Sequence, residues 1–307
     1  MSSPTQPQSA AKIALPASVT RRVLLCASWF VAISLVFTTP LTRFVRYALS
    51  NDNASHAILI PAICIWILYL ERERIFATLG SDLRSASLFF LPGCLAAAAC
   101  FFYGTHFSEL NQLSLCVFAL ILFWIAGFAF SFGRTALRRA SFPLTFLLLT
   151  IPIPDFLLDR AIYLLQKGTT EIAAVLFDWS GVPALRDGFV FHLARVNIEV
   201  ARECSGIRSS LALIIIAILV AHFYLHAFWR RAALVLVGLF VMILKNAVRI
   251  VALTLLASYV DPSFLYGNLH HQGGVVFFLV GLLLMAPVLW WLERGERKST
   301  AETSVSA

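Results

Sequence analysis

The feature that most constrains this chain is a series of about eight long apolar runs separated by short polar segments. A helix needs roughly 20 apolar residues to cross the hydrocarbon core of a bilayer, and most of these runs come close to that length. The 307 residues are 60% hydrophobic and 13% charged, with a mean hydropathy of +0.84, well above that of soluble domains. We therefore predict an all-α integral membrane protein. The predicted transmembrane helices are residues 22–40, 54–70, 87–104, 110–130, 140–153, 206–226, 232–258 and 274–292.

The distribution of arginine and lysine predicts the orientation of these helices. With both termini cytoplasmic, the outer loops 105–109 and 259–273 contain no Lys or Arg, as the positive-inside rule requires, and Arg43 and Arg46 are a mild exception. The net charge of +8 then comes from basic residues in the loops next to the lipid bilayer. We therefore expect no nucleic-acid partner. The predicted cytoplasmic basic residues are Arg21, Arg22, Arg72, Arg74, Arg84, Arg134, Arg138, Arg139, Arg230, Arg231, Arg294, Arg297 and Lys298.

The predicted domain organisation is a single polytopic membrane domain, residues 21–292, with a tail at each end. Residues 1–20 are predicted to be a disordered cytoplasmic tail, and residues 293–307 a second cytoplasmic tail. The run 140–153 is the shortest and ends in an Ile-Pro-Ile-Pro sequence, which terminates or bends a helix at the interface. If this run does not cross, seven spans remain.

About fifty residues, 155–203, are too polar for a span and are assigned to the extracytoplasmic side. The first half has helical periodicity, which predicts a small amphipathic helix on the membrane surface or among the spans. Residues 188–193 and 196–200 alternate at period two, which predicts a β-hairpin lid that leads directly to Cys204. The polar residues on one side of the predicted helix are Gln166, Lys167 and Glu171.

The cysteines are distributed unlike those of a disulfide framework. Five of the six lie inside apolar runs, where a thiol behaves as a small hydrophobic group. Cys204 differs because Arg202, Glu203, Ser205 and Arg208 surround it in sequence. No cysteine spacing is typical of a metal site, and we expect neither a metal nor a cofactor. The five apolar cysteines are Cys26, Cys64, Cys94, Cys100 and Cys116.

Two basic residues lie inside the seventh predicted span, where an ionisable side chain costs roughly 2.5 to 3.5 kcal/mol on insertion scales. Lys245 and Arg249 are four residues apart and therefore share a helix face. Lys245 could snorkel towards water or face a solvated cavity. Arg249 lies about two-thirds of the way along the span, towards the outer side, and we predict a functional role for it.

The predicted topology brings a cysteine, an arginine and a histidine to one depth of the outer leaflet. Cys204 precedes span six, Arg249 lies in the outer half of span seven, and His270 and His271 precede span eight. These residue types form thiol acyl-transfer sites. A neighbouring cation favours the thiolate, a histidine serves as general base and acid, and an arginine can hold a developing oxyanion.

Other functions would use the same residues differently. Gly206 could admit close helix packing, Ser205 could cap a helix, and interfacial histidines can be simple anchors. A polytopic transporter or channel would line its pathway with Lys245, Arg249 and His270. A non-catalytic subunit of a polysaccharide export system would need no chemistry at these positions.

Four segments resemble motifs of the exosortase/archaeosortase family, which consists of membrane-embedded, sortase-like transpeptidases. The resemblance covers residues 55–291. Ala57 replaces a usual glycine, charge precedes the cysteine where many members have small residues, and the histidine is doubled. The spacing to Gly274 favours His270 over His271. The matching segments are Ser55-His56-Ala57-Ile58-Leu59-Ile60-Pro61, Cys204-Ser205-Gly206-Ile207-Arg208-Ser209, Asn246-Ala247-Val248-Arg249-Ile250 and Leu269-His270-His271-Gln272-Gly273-Gly274.

The resemblance implies a cysteine peptidase or transpeptidase of the bacterial inner membrane. Its substrates would be exported membrane proteins with a C-terminal sorting signal, made of a short motif, a membrane span and a basic tail. Cys204 would form a thioester at the outer face, Arg249 and His270 would complete the catalytic set, and a lipid- or polysaccharide-linked acceptor could release the product. The candidate supporting residues are His271, Asn246, Lys245, Ser205, Arg208, Ser55 and His56.

Overall fold

The computed structural model describes residues 17–51, 54–194, 196–200, 207–261, 263 and 268–305 of the chain. These residues form helices almost throughout, and they divide into two compact units. The first unit comprises Met1–Ser50 and Ala57–Pro152. The second comprises Asn51–His56 and Ile153–Ala307, so it takes a short N-terminal segment together with the C-terminal half of the chain.

The core of the first unit is a long helix, Glu109–Arg139, most of whose apolar residues are buried. A second helix, Leu83–Phe102, packs along it, and Ala17–Val36 adds a third layer. The helix bounds of this unit are α1 Ala17–Val36, α2 Thr38–Ser50, α3 Leu59–Leu70, α4 Arg72–Ile75, α5 Leu83–Phe102, α6 Glu109–Arg139 and α7 Ser141–Phe146. Three 3₁₀ segments, Ser55–Ile58, Gly104–His106 and Leu147–Thr150, complete the described helical structure up to Pro152.

The second unit is built around one long helix that contacts three others. Helix α10 packs against α8, α9 and α11, and most of its buried residues lie in its C-terminal half. The elements are α8 Asp155–Trp179, β1 Leu185–Asp187, β2 Val190–His192, β3 Asn197–Glu199, α9 Ile207–Tyr224, α10 Phe228–Tyr259 and α11 Asn268–Val305. The strands form an antiparallel sheet in the order β1-β2-β3, with Phe191 opposite Ile198.

The helix lengths identify a multi-pass membrane protein with five helices that are long and apolar enough to cross a bilayer, or six if a bent pair counts as one span. Two shorter apolar helical segments, Ser55–Leu70 and Ser210–Tyr224, fall below that length. The described part of the chain therefore supports five or six spans by length and composition, whereas the sequence predicts about eight. The long helices are Val19–Val36, Leu83–Phe102, Glu109–Arg139, Phe228–Tyr259 and Val276–Arg297.

The helical run of the predicted fifth span ends at its two prolines, as predicted. Helix α7 and the 3₁₀ segment after it end at Thr150, and α8 begins at Asp155. The break contains Pro152 and Pro154, and a proline lacks the amide hydrogen that a continuing helix needs. The two prolines therefore separate two helices where the sequence analysis placed the end of one span.

Several predicted boundaries differ from the structure. Helix α1 begins at Ala17, inside the predicted N-terminal tail, and α11 continues to Val305 through most of the predicted C-terminal tail. The segment with Arg43 and Arg46 is not an open loop but helix α2. Residues 1–16, 306 and 307 lie outside the described residues.

Two cysteines that the sequence analysis treated as small hydrophobic groups are joined. Cys100 near the end of α5 and Cys116 in α6 form a disulfide, with their Cα atoms 5.6 Å apart. Both residues lie in apolar runs, so their pairing depends on how α5 and α6 are aligned. A pattern of apolar residues cannot reveal that alignment. The expectation that these two thiols are unpaired was wrong.

The contact between α1 and α6 gives a direct test of the first unit. A side chain added at Gly127 would overlap the indole of Trp29, whose Nε1 donates a hydrogen bond to the Phe123 carbonyl at 2.9 Å. We expect Gly127→Ala to lower the free energy of unfolding by about 1 to 3 kcal/mol, the usual cost of overpacking. Thermal unfolding in detergent measures it. Gly80→Ala, with open space around the new methyl group, is the matched control, and an equal effect at both positions would contradict the packing described.

Candidate active site

The structure describes some of the predicted site residues fully and others in part. Cys204 and Ser205 lie outside the described residues, and for Arg208, His270 and His271 the structure gives the helical backbone alone. The side chains of the other candidates are described. These are Ser55, His56, Lys245, Asn246 and Arg249.

Lys245 is packed inside the second unit rather than exposed to water. Its side chain is 3% exposed. A Cβ added at Gly281 of α11 would lie 3.5 Å from Lys245 Cδ and 3.4 Å from a methyl group of Leu213 in α9. The aliphatic part of Lys245 therefore lies where α9, α10 and α11 meet, and Gly281 makes room for it.

Asn246 faces a different neighbour, because consecutive residues of a helix point about 100° apart. Its Nδ2 donates a hydrogen bond to Thr169 Oγ1 of α8 at 3.3 Å, and both residues are almost completely buried. Next to this bond the two helices approach closely: a Cβ at Gly168 would lie 3.1 Å from the Ile243 side chain. Asn246 thus links α10 to α8. Arg249 lies about one turn further along α10 and is half-buried.

The chain that leads to Cys204 is anchored at Val200. The Val200 amide donates to the Phe189 carbonyl at 2.9 Å, and its carbonyl accepts a hydrogen bond from Gln166 Nε2 at 2.9 Å. The Val200 side chain is fully buried in one apolar cluster with Ala247 and Ile250 of α10. Val200 precedes Cys204 by four residues, and its cluster includes residues on either side of Arg249 in sequence.

The buried side of α8 was not predicted correctly. Gln166 was assigned to the polar side with Lys167 and Glu171, but it is 8% exposed and faces the interior, while the other two are exposed. The spacing of the buried residues, at intervals of three and four, is the signal that could have revealed this face. The buried residues of α8 are Ile162, Gln166, Thr169, Thr170, Ala173 and Phe177.

The antiparallel register of the helices relates the level of Arg249 to those of α9 and α11. A Cβ at Gly238 of α10 would contact Ala217 of α9 at 3.5 Å and Met285 of α11 at 3.4 Å, and both neighbours run antiparallel to α10. With equal rise per residue, Arg249 is level with the first turn of α9 and with about residue 274 of α11. Helix α9 therefore begins close to the level of Arg249, and the backbone of His270 lies about one turn, roughly 6 Å, beyond it.

Ser55 and His56 belong to the same unit as this group. They begin the 3₁₀ segment Ser55–Ile58, both are half-buried, and the segment Asn51–His56 clusters with the C-terminal half of the chain. A short element distant in sequence therefore joins the unit that holds Lys245, Asn246 and Arg249. The long separation in sequence gave no indication that Ser55 and His56 belong to the second unit.

Two basic side chains of α10 belong to the described site. Lys245 and Arg249 lie one helical turn apart in a packed interior, where charges interact more strongly than in water. Such a pair favours a thiolate or an oxyanion over a neutral group. Among the described residues, no group of three His, Cys, Asp or Glu side chains is arranged to hold a metal ion.

The fold and the Lys-Asn-x-x-Arg segment of α10 define a polytopic helical membrane protein with two basic residues inside a long apolar helix. Residues 48–287, most of the chain, match the family described as transmembrane exosortase (Exosortase_EpsH). The chain belongs to this family. No curated protein and no solved structure matches it.

The hydrogen bond between Gln166 and Val200 gives a test of how the site is held. Gln166→Leu keeps the volume but leaves the buried Val200 carbonyl without its donor, which typically costs about 1 to 3 kcal/mol. We expect a matching loss of thermal stability in detergent. Lys167→Leu, at the neighbouring exposed position, should change the stability by less than about 0.5 kcal/mol. Equal effects of the two substitutions would show that Gln166 does not anchor Val200.

Proposed function

We propose that this transmembrane exosortase is a cysteine transpeptidase that cleaves a C-terminal sorting signal from exported membrane proteins. Cys204 is the nucleophile, His270 is the general acid and base, and Arg249 stabilises the charge that develops during the reaction. Lys245, Asn246, Ser205, Arg208, Ser55, His56 and His271 are proposed to support these three.

The observation that carries the proposal is that Val200 belongs to the same buried cluster as Ala247 and Ile250, which flank Arg249 in α10. Val200, four residues before Cys204, is fully buried, and its amide and its carbonyl both form hydrogen bonds. The antiparallel register of α9 and α11 against α10 also supports the proposal that the three catalytic residues converge.

The proposed reaction proceeds in two steps, formation of a thioester and its transfer to the acceptor. The Cys204 thiolate attacks the scissile carbonyl carbon, the bond between that carbon and the amide nitrogen breaks, and the leaving amine takes a proton from His270. In the second step the acceptor gives a proton to His270 and attacks the thioester, which releases Cys204. The Arg249 guanidinium, with its fixed pattern of donors, suits the oxyanion that forms in each step.

The proposed orientation follows the charge of the loops. We place both termini in the cytoplasm of a bacterial cell and the site at the outer face of the inner membrane. A substrate that ends in one membrane span and a basic tail would lie beside the protein in the same bilayer. Its scissile bond would then be close to the outer interface, and a lipid- or polysaccharide-linked acceptor could approach from outside.

The three-stranded sheet is proposed to act as the lid of this site. Arg186 of β1 makes two hydrogen bonds to the Glu171 carboxylate of α8, at 2.9 and 3.0 Å. Phe191 of β2 packs on Phe177 of α8 with ring centroids 5.1 Å apart. The sheet is therefore fixed to α8 by a charged contact and an aromatic contact, and the turn between β1 and β2 supplies the Phe189 carbonyl that accepts a hydrogen bond from Val200.

Replacement of Cys204 tests the proposal directly. We expect Cys204→Ala to abolish conversion of a co-expressed, epitope-tagged protein that ends in a short motif, one span and a basic tail. The measurement is the shift in electrophoretic mobility of that protein in membranes. Cys94→Ala is the matched control, because Cys94 is an unpaired, exposed cysteine of α5. This variant should convert the tagged protein at the normal rate.

The same experiment separates the alternatives. If the protein is a transporter, a channel or a non-catalytic export subunit, the Cys204→Ala variant should still function, provided that it inserts into the membrane in normal amounts. Processing by Cys204→Ala at the rate of the unmodified protein would therefore exclude the cysteine mechanism.

The role of Arg249 is tested by a substitution that keeps its charge. Arg249→Lys retains a cation but loses the planar arrangement of donors, so we expect the processing rate to fall about 10²- to 10³-fold, as when an oxyanion donor is removed. The rate of substrate conversion after induction measures this effect. Arg138→Lys, at an exposed position of α6, is the control. Unchanged processing by Arg249→Lys would show that a positive charge alone is sufficient.

A further inference from the structure

A cavity of about 310 Å³ lies between the first turn of α10 and the segment of α11 that packs against it. Its volume lies at the lower end of the range of small-molecule sites, about 300 to 1,000 Å³. In the orientation proposed above, this end of both helices lies at the cytoplasmic interface, at the depth of lipid headgroups. The cavity is lined by Trp229, Arg230, Trp291, Leu292, Arg294 and Gly295.

Two guanidinium groups are held beside this cavity. Arg230 Nη1 donates a hydrogen bond to the Leu292 carbonyl at 3.2 Å, and its Cζ lies 5.0 Å from the centre of the Trp229 ring. Arg294 Cζ lies 5.0 Å from the centre of the Trp290 ring. Gly295 leaves space next to the first group, because a Cβ there would lie 3.8 Å from the Arg230 guanidinium.

Two carboxylates lie near the cavity, and one of them, Glu296, interacts electrostatically with Arg230. Glu296 accepts hydrogen bonds from the backbone amides of His226 and Ala227, the latter at 2.7 Å. Glu293 pairs with Arg297 one turn further along α11. Within the described residues, neither Arg230 nor Arg294 forms an ion pair with a carboxylate. The cavity therefore presents positive charge on a wall whose remaining side chains are mostly apolar.

We propose that this cavity binds one anionic phospholipid from the cytoplasmic leaflet. The guanidinium groups of Arg230 and Arg294 would donate hydrogen bonds to the phosphate, and charge-assisted bonds of this kind are strong. The indole rings of Trp229 and Trp291 and the side chain of Leu292 would contact the glycerol and the upper acyl chain. Basic pockets between transmembrane helices on the cytoplasmic side suit such headgroups, and the net positive charge favours an anionic lipid over a zwitterionic one.

Native mass spectrometry of the delipidated full-length protein in detergent tests this site. The protein is titrated with phosphatidylglycerol or with phosphatidylcholine of the same chain length. We expect one phosphatidylglycerol to bind about tenfold more tightly than phosphatidylcholine. The preference for phosphatidylglycerol should disappear in the double variant Arg230→Gln/Arg294→Gln. It should remain in the control variant Arg297→Gln, which removes one exposed arginine of α11.

A second variant keeps both charges and fills the cavity. Gly295→Leu has room for its Cβ, and its side chain would occupy the space proposed for the lipid, so it should also lose the tight site. Equal affinity for the two lipids, or tight binding retained by both the double variant and Gly295→Leu, would overturn the proposal. Displacement of phosphatidylglycerol by soluble glycerol phosphate would overturn it as well, since a free phosphate compound would then be the occupant.

Discussion

The second unit depends on the packing of α10 against three other helices. A packed interior offers no water to a polar side chain, so the polar groups on the facing sides of α8 and α10 must find partners within the protein. Asn246 donates to Thr169, and Gln166 donates to the carbonyl of Val200. These bonds hold α8 against α10, and through Val200 they also fix the chain that leads to Cys204.

The proposed catalytic arrangement follows from this packing. Helix α10 supplies Arg249 and the buried residues next to it, while α9 and α11 run antiparallel to it on its other sides. Because the antiparallel register brings the beginnings of α9 and α11 to the level of Arg249, residues from three segments can converge there. A rigid set of helices is a suitable support for a thiol site, since catalytic groups must be held in position to be effective.

The sequence predicted the apolar helices well and the contacts between them poorly. Long apolar runs identify α5, α6, α10 and α11, because lipid-facing and buried surfaces both require apolar residues. The Cys100–Cys116 disulfide depends on how α5 and α6 are aligned, which periodicity does not reveal. The two prolines before α8 did indicate the break, and the spacing of its buried residues could have revealed the inward side of Gln166. The motifs drew attention to Asn246 and Arg249. Thr169 and Val200 carried no such signal, since their roles arise from contacts with α10 and α8.

The convergence of Cys204, Arg249 and His270 is the central claim, and intramolecular crosslinking measures it most directly. The starting variant keeps Cys204 and replaces the other five cysteines with alanine; a second cysteine is then added by Arg249→Cys, His270→Cys or Leu239→Cys. After oxidation of membranes, mass spectrometry of the digested protein detects the linked peptides. The account predicts crosslinks to Cys204 from the first two positions and none from Leu239→Cys, about 15 Å further along α10. No crosslink from either site position, or an equally efficient one from Leu239→Cys, would contradict it.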